Sequence, residues 1–333
     1  MMQRRDFLGY SGVVAAALGF AGAQCAHAAA RSQILRVGIV NSRESQFGAG
    51  AAEFVAQVER NCGGRLRVEL YPSASAGGEL EMVQDVGSGT LDMVFTSTAV
   101  FAAIVPELSV FDIPFLFRDL THARGVFDGE IGKAALARFE PKGIVGLAWG
   151  ENGLRHVTTT DKAIRRPEDL KGIKIRVPQS DVMVASFKAL GADAQSLPFP
   201  DVYPALSAGL VQAQENSIAT ILSTNFDKVQ RYLCLTGHVY SPSAFLISKR
   251  VLDRIQPDDQ QALRAAAVAG GKASRAYLDR IDKNGIDELR RRGMKVVEDI
   301  DRAAFVTTLA GLESDFEKQF GKDKIDAIRA FGR

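Results

Sequence analysis

Residues 172–217 bring together side chains that can receive a planar anion. Arg176 sits in an apolar run, residues 173–177, that reads as a strand and is closed by Pro178, which can neither donate to a ladder nor readily follow a helical residue. Alternation along that strand sends Ile175 and Val177 to the face opposite Arg176. In a covered sheet the guanidinium then needs a carboxylate partner, from the protein or from a ligand. A helix over 181–190 follows, with Val182, Val184, Ala185, Phe187 and Leu190 as its apolar stripe and Gly191 at its C-terminal end. The turn Leu197-Pro198-Phe199-Pro200 leads to a short helix that Asp201 can cap, and the chain then reaches Glu215 and Asn216 at a second strand end. A guanidinium fork on Arg176, an amide on Asn216 and the face of Phe199 make a carboxylate receptor.

The elements that must hold these groups alternate. Residues 34–40 read as a strand apolar on both faces, a polar loop 41–46 follows, and an amphipathic helix runs to about Arg60. Residues 66–71 and 91–95 read as further strands, separated by a helix that begins after Gly77-Gly78. Strand-helix-strand-helix-strand is the pattern of a parallel sheet covered by helices. A helical region after Asp119 leads to a strand at 144–149, and Asn152-Gly153 reads as a loop with Arg155 just beyond it. A strand at 239–248 returns to the first sheet, and Pro257 opens a long alanine-rich helix with breaks expected near Gly270-Gly271 and Gly285. A short strand at 294–297 and a last helix over 302–320 complete the chain. The fold class is therefore α/β, with two lobes joined by several chain crossings and no clean linker. Each lobe is expected to be a mixed sheet flanked by helices, with the long helix spanning both and a ligand cleft at the strand ends between them. The expected division is 31–152 plus 240–281 for lobe I and 153–239 plus 282–333 for lobe II.

Residues 1–28 read as an export signal. Arg4-Arg5 with Phe7-Leu8 after one spacer is a twin-arginine pattern, a Gly/Ala/Val stretch follows, and Ala26-His27-Ala28 is an A-x-A cleavage site, so the mature chain is expected in a periplasm. The net charge of +2, one unit of which lies in this leader, provides no footprint for nucleic acid. Cys62 and Cys234 are far apart in sequence and are expected to be buried hydrophobes in preference to a disulfide. After the leader only His122, His156 and His238 remain, without paired metal-ligand spacing, and there is no G-x-S-x-G elbow, C-x-x-C or phosphate loop. No catalytic residue, metal or cofactor is therefore expected.

The motifs GRLRVELYPSASAGGELEMVQDVGSGTLDM, FDIPFLFRD, LKGIKIRVP, ALGADAQSLPFPDVYPALSAGLVQAQENS and VQRYLCLTGHVY occur in order across nearly the whole mature chain. With them the chain resembles the solute-binding proteins of TRAP (tripartite ATP-independent periplasmic) transporters, dicarboxylate-binding type. The resemblance implies a type II-like periplasmic binding protein that closes over an organic acid and delivers it to the small and large subunits of a membrane permease. It also implies that Arg176 grips the ligand carboxylate, that Arg155 and Asn216 assist, and that Phe199 stacks on the ligand. Loop 41–46, with Arg43 and Glu44, and residues 96–98, with Ser97, match ligand-contacting segments. Arg43 would favour a second carboxylate, and Trp149 with Phe199 would tolerate an aromatic or sugar acid. Arg155 has a competing use, pairing with Asp161 or Glu168 of its own lobe, and Glu215 reads as structural. The chain departs from the family's V-D-G-Q-E-N-P at 211–217, where it reads Val-Gln-Ala-Gln-Glu-Asn-Ser. A sensory receptor for an organic acid, or a periplasmic enzyme acting on one, are the alternative functions.

Overall fold

The computed structural model describes residues 32–332; residues 1–28, expected as an export signal, lie outside them. Nine strands form one sheet: β1 (Gln33–Gly38), β2 (Leu66–Tyr71), β3 (Met93–Ser97), β4 (Ile144–Thr159), β5 (Lys174–Val177), β6 (Asp193–Ser196), β7 (Ala213–Ser217), β8 (Tyr232–Ser248) and β9 (Lys295–Val297). Their order is β2-β1-β3-β8-β4-β7-β5-β6, with β9 on β8. The two sheets expected of the two lobes are thus continuous through β4 and β8, which are 16 and 17 residues long. At one end of this pair β3 runs antiparallel to residues 243–247 of β8, and at the other β7 runs antiparallel to residues 155–159 of β4. The outer pairs β1–β2, β1–β3, β5–β6 and β5–β7 are parallel, so the helices that join them cover the sheet.

Asn152 and Gly153, expected as a loop, lie inside β4. The pairing with β8 runs past them with register shifts at 146/148, 151/153 and 155/157. Gly153 takes φ +110°, a conformation glycine permits at low cost, and this lets the strand bend without leaving the ladder. Pairing to a long neighbour outweighs the local turn preference of Asn-Gly.

The helix Pro257–Arg291 is unbroken over 35 residues, without the expected breaks at its glycines. Gly270 and Gly271 are buried and allow close backbone approach. A Cβ at Gly271 would sit 2.1 Å from the Trp149 carbonyl oxygen, and one at Gly270 would sit 2.7 Å from that of Gly50. Further along, the Gly285 position faces Ile218 and Leu222 of the second lobe, so the helix does run along both.

Two apolar clusters fill the first lobe, one around Phe54, Phe95 and Phe245 and one around Phe101, Phe111 and Phe127. Two more fill the second, around Ile175, Phe187 and Cys234 and around Val202, Phe226 and Leu233. The C-terminal segment, expected with lobe II, divides. Phe305 and Leu309 pack in a second-lobe cluster, whereas Phe316, Phe320, Ile325 and Ile328 pack with Phe111 and Phe127. Cys62 and Cys234 are free and buried in different clusters, and burial pushes each thiol up to about 11.

Candidate functional site

The parallel strands of both lobes point their C-terminal ends at one cavity. Its walls include Asn41, shortly after β1, Ser97 at the end of β3, Arg176 and Pro178 at the end of β5, and Asn216 near the end of β7. Asn152 and Arg155 join them from β4, together with Phe199, Thr220, Phe47 and Glu79. The space among these walls is at most about 270 Å³, below the range usual for drug-sized ligands.

Arg176 is 2% exposed, and its Nε and Nη2 donate to the Leu197 carbonyl at 3.0 and 2.7 Å. No carboxylate of the described residues lies within ion-pair distance of it. Ile175 and Val177 are packed in the second-lobe cluster, on the face that strand alternation assigns them. Burial of the guanidinium without such a partner pulls its pKa down to about 10.

Arg155 is held differently. Its partner is neither Asp161 nor Glu168 but Glu215, whose carboxylate accepts from Arg155 Nε at 2.6 Å and Nη2 at 2.8 Å. Nη2 also donates to the Glu215 carbonyl at 2.7 Å. On the other side of the carboxylate, His238 Nε2 lies 3.0 Å from Glu215 Oε2. A carboxylate can only accept, so that nitrogen carries the proton, and His238 Nδ1 shares a hydrogen bond with the Thr236 hydroxyl at 2.8 Å. Burial alone would raise the Glu215 pKa, but Arg155 and then His238 outweigh it and leave it at about 2. Arg155 is thereby aimed and charge-balanced from behind while still lining the cavity.

A second buried carboxylate joins the lobes. Asp112 accepts from Ser180 Oγ at 2.8 Å and from Thr98 Oγ1 at 3.3 Å. Ser180 sits at the start of the helix Asp181–Ala189, so its hydroxyl is committed to the facing lobe and makes no cap. Burial pushes the Asp112 pKa up from its ordinary 3.8 to about 6, against the pull of Ser180 and Arg155. A carboxyl whose folded pKa is raised stabilises the fold most when protonated, and that contribution is lost as pH rises from about 4 through about 6. Asp112→Asn removes the buried charge, so the melting temperature of the variant minus that of the wild type should be more positive at pH 8 than at pH 4.5. An equal difference at both pH values would refute the assignment.

Of the residues singled out in the sequence, Arg176, Asn216, Arg155, Phe199 and Ser97 line the cavity, and Trp149, Arg43 and Glu44 do not. The Trp149 indole donates to the Gly132 carbonyl at 2.9 Å and packs against Phe127 at 4.8 Å between centroids, deep in a first-lobe cluster. Arg43 and Glu44 are exposed in the turn before the helix Gln46–Asn61, where the Glu44 carbonyl accepts from Tyr277. From the same loop Asn41 reaches the cavity instead, and Gln46 braces it, donating to Asn152 Oδ1 at 2.6 Å and Thr220 Oγ1 at 2.9 Å. Glu79, Asn152 and Thr220 were not foreseen. The signal for Glu79 was its place just after Gly77-Gly78 at the head of a helix that follows a strand.

Residues 37–319 match the family of bacterial extracellular solute-binding proteins, family 7 (DctP). The chain is 42% identical over 302 residues to a solute-binding protein of Verminephrobacter eiseniae, covering 91% of this chain and 90% of that one. It is 35% identical over 300 residues to the 2,3-diketo-L-gulonate-binding periplasmic protein YiaO of Escherichia coli, covering 89% and 92%. The structure of a TRAP periplasmic solute-binding protein from Polaromonas sp. JS666, bound to D-erythronate, superposes with a TM-score of 0.89 at 40% identity, covering 91% of this chain and 100% of that one.

Proposed function

Since the chain belongs to family 7 of the bacterial extracellular solute-binding proteins, the receptor components of TRAP transporters, we propose that it captures an organic acid between its lobes and hands it to a membrane permease. The observation that carries this reading is Arg176, a buried guanidinium whose only side-chain bonds among the described residues go to one carbonyl. A buried cation in that state gains most from a carboxylate arriving in bidentate geometry.

In the proposed mechanism the acid enters with the lobes apart and meets the free edge of the Arg176 fork. Arg155, held by Glu215, and the Asn216 amide complete the anion's hydrogen bonds, while Phe199 covers its flank. Closure brings Asn41, Glu79 and Ser97 of the first lobe over the remainder of the ligand and excludes water, which strengthens each charged contact. The same network of Thr98, Asp112 and Ser180 ties the lobes in the closed form. Delivery to the small and large permease subunits, uptake driven by an ion gradient, and export of the receptor by a twin-arginine signal rest on the family resemblance and on residues 1–28. The family is one of binding proteins, and this cycle contains no chemical step: the acid leaves as it entered.

A thermal-shift screen of organic acids tests the reading, because ligand that binds only the folded state stabilises it by RT ln(1 + [L]/Kd). At a hundredfold excess over Kd the gain is about 2.7 kcal/mol. Stabilisation by at least one acid, recovered unchanged by mass spectrometry after prolonged incubation, is expected. A panel with no stabilising acid would overturn the receptor reading, and a converted acid would point to an enzyme.

A further inference from the structure

Glu79 is an acidic residue in the wall of a cavity built to receive an acid. It opens the helix Glu79–Ser88, and a single oxygen, Oε1, accepts from Thr96 Oγ1 at 2.7 Å, Ser97 Oγ at 2.8 Å and Ser97 N at 3.3 Å. Three donors on one oxygen orient the carboxylate firmly and leave Oε2 without a protein partner among the described residues. Lining the same cavity, Asn41 has a buried Nδ2 that likewise has no partner among the described residues. The first-lobe wall thus presents one spare acceptor and one spare donor to the ligand.

We infer that Glu79, with Asn41, makes the site selective for hydroxylated monocarboxylates and against dicarboxylates. This rests on the acid-receptor reading and deepens it. A hydroxyl donates to Glu79 Oε2 and accepts from Asn41 Nδ2 through one oxygen, so it satisfies both groups at once. A second carboxylate can only accept: it could use Asn41 but would meet Glu79 as a like charge. The charge count agrees. Arg155 and Arg176 are already matched by Glu79 in the wall, by Glu215 behind it and, near neutral pH, by the neighbouring Asp112, so a ligand carboxylate finds no surplus positive charge and a second one compounds the repulsion. Arg43, the residue that would have welcomed a second carboxylate, is exposed and outside the cavity. The space within the walls, at most about 270 Å³, favours a compact acid over a larger one.

The test uses the mature protein and matched acids that differ only in a terminal CH2OH or carboxylate: D-erythronate against meso-tartrate, and D-gluconate against D-glucarate, titrated calorimetrically near neutral pH. The wild type should prefer the monocarboxylate of the pair it binds by about a hundredfold or more, since a like charge facing a buried ligand group costs several kcal/mol. Glu79→Gln keeps the size and removes the charge, and should shrink that preference to less than about tenfold. Glu79→Asp keeps the charge and should retain it. Ligand-free melting curves report whether each variant is folded. Wild-type preference for a dicarboxylate, or an unchanged ratio in folded Glu79→Gln, overturns the inference and leaves the receptor reading standing. Failure of the wild type to bind these or any other organic acid overturns both.

Discussion

Replacing Arg176 by alanine is expected to weaken binding of the protein's acid by a few hundred- to a few thousand-fold, since removing one partner of a buried ion pair costs about 3–5 kcal/mol. Ligand-free stability should respond in the opposite sense from an ordinary core truncation. The guanidinium is buried with a pKa pulled down to about 10 from 12.5, so at neutral pH its charged form is a cost to the folded state, and among the described residues the only side-chain bonds lost with it are the two to the Leu197 carbonyl. The ligand-free melting temperature of Arg176→Ala, and still more of the better-filling Arg176→Met, should therefore fall little or rise. Arg176→Lys should bind nearly as poorly as alanine, because an ammonium cannot present a planar fork to a carboxylate. Calorimetric titration and melting curves on the same samples separate the two roles. A large loss of ligand-free stability with affinity preserved would make Arg176 a structural residue and defeat the clamp.

Glu215→Ala should show the reverse pattern. It strands Arg155, which is 4% exposed, beside the second buried cation Arg176, and breaking such a pair from one side costs about 3–5 kcal/mol of stability. Affinity should fall as well, because Arg155 loses both the bidentate contact that aims it and the charge that balances it. Added acid should restore part of the lost stability, by supplying a carboxylate to the same pair of guanidiniums. Glu215→Gln keeps the shape and isolates the charge. With the Glu215 carboxyl held at about 2 against an ordinary 4.5, its contribution is fully present above pH 4.5 and lost as pH falls through about 2. The stability difference between wild type and Glu215→Gln, followed by urea unfolding, should narrow steadily over that window. A difference independent of pH would show that packing, and not the ion pair, makes Glu215 necessary.

The residues of the site were unequally legible, for reasons that lie in the chain. Arg176 stands out because strand alternation isolates one charge among Ile175, Val177 and a closing proline, a local pattern that survives folding unchanged. Asn216 is legible differently, as part of the polar pair Glu215-Asn216 that follows an apolar stretch, since its own strand Ala213–Ser217 is mostly polar. The partner of Arg155 is not, because Glu215 lies 60 residues away and meets it only through the pairing of β4 with β7, while Asp161 and Glu168 look nearer in sequence. Asn152-Gly153 misleads because its turn preference is intrinsic to the dipeptide, whereas the ladder that overrides it belongs to β8. Trp149 and the pair Arg43 and Glu44 show how residue type near a binding segment does not settle direction: the indole turns into the core to reach the Gly132 carbonyl, and the two charges stay in water at a helix start.

By itself the sequence determined the α/β alternation and the isolated arginine at the end of β5, because periodicity, glycine and proline placement and a lone charge in a strand are local properties of the chain, and its ordered motifs carried the family resemblance. Only the tertiary structure decided that the lobes share one sheet, that Arg155 is paired with Glu215 and Glu215 with His238, and that Glu79 and Asn41 line the same cavity as Arg155 and Arg176. Those features arise from contacts between segments far apart in sequence, and the charge and hydrogen-bonding capacity left over in the cavity, on which discrimination among acids depends, exists only once those contacts have been made.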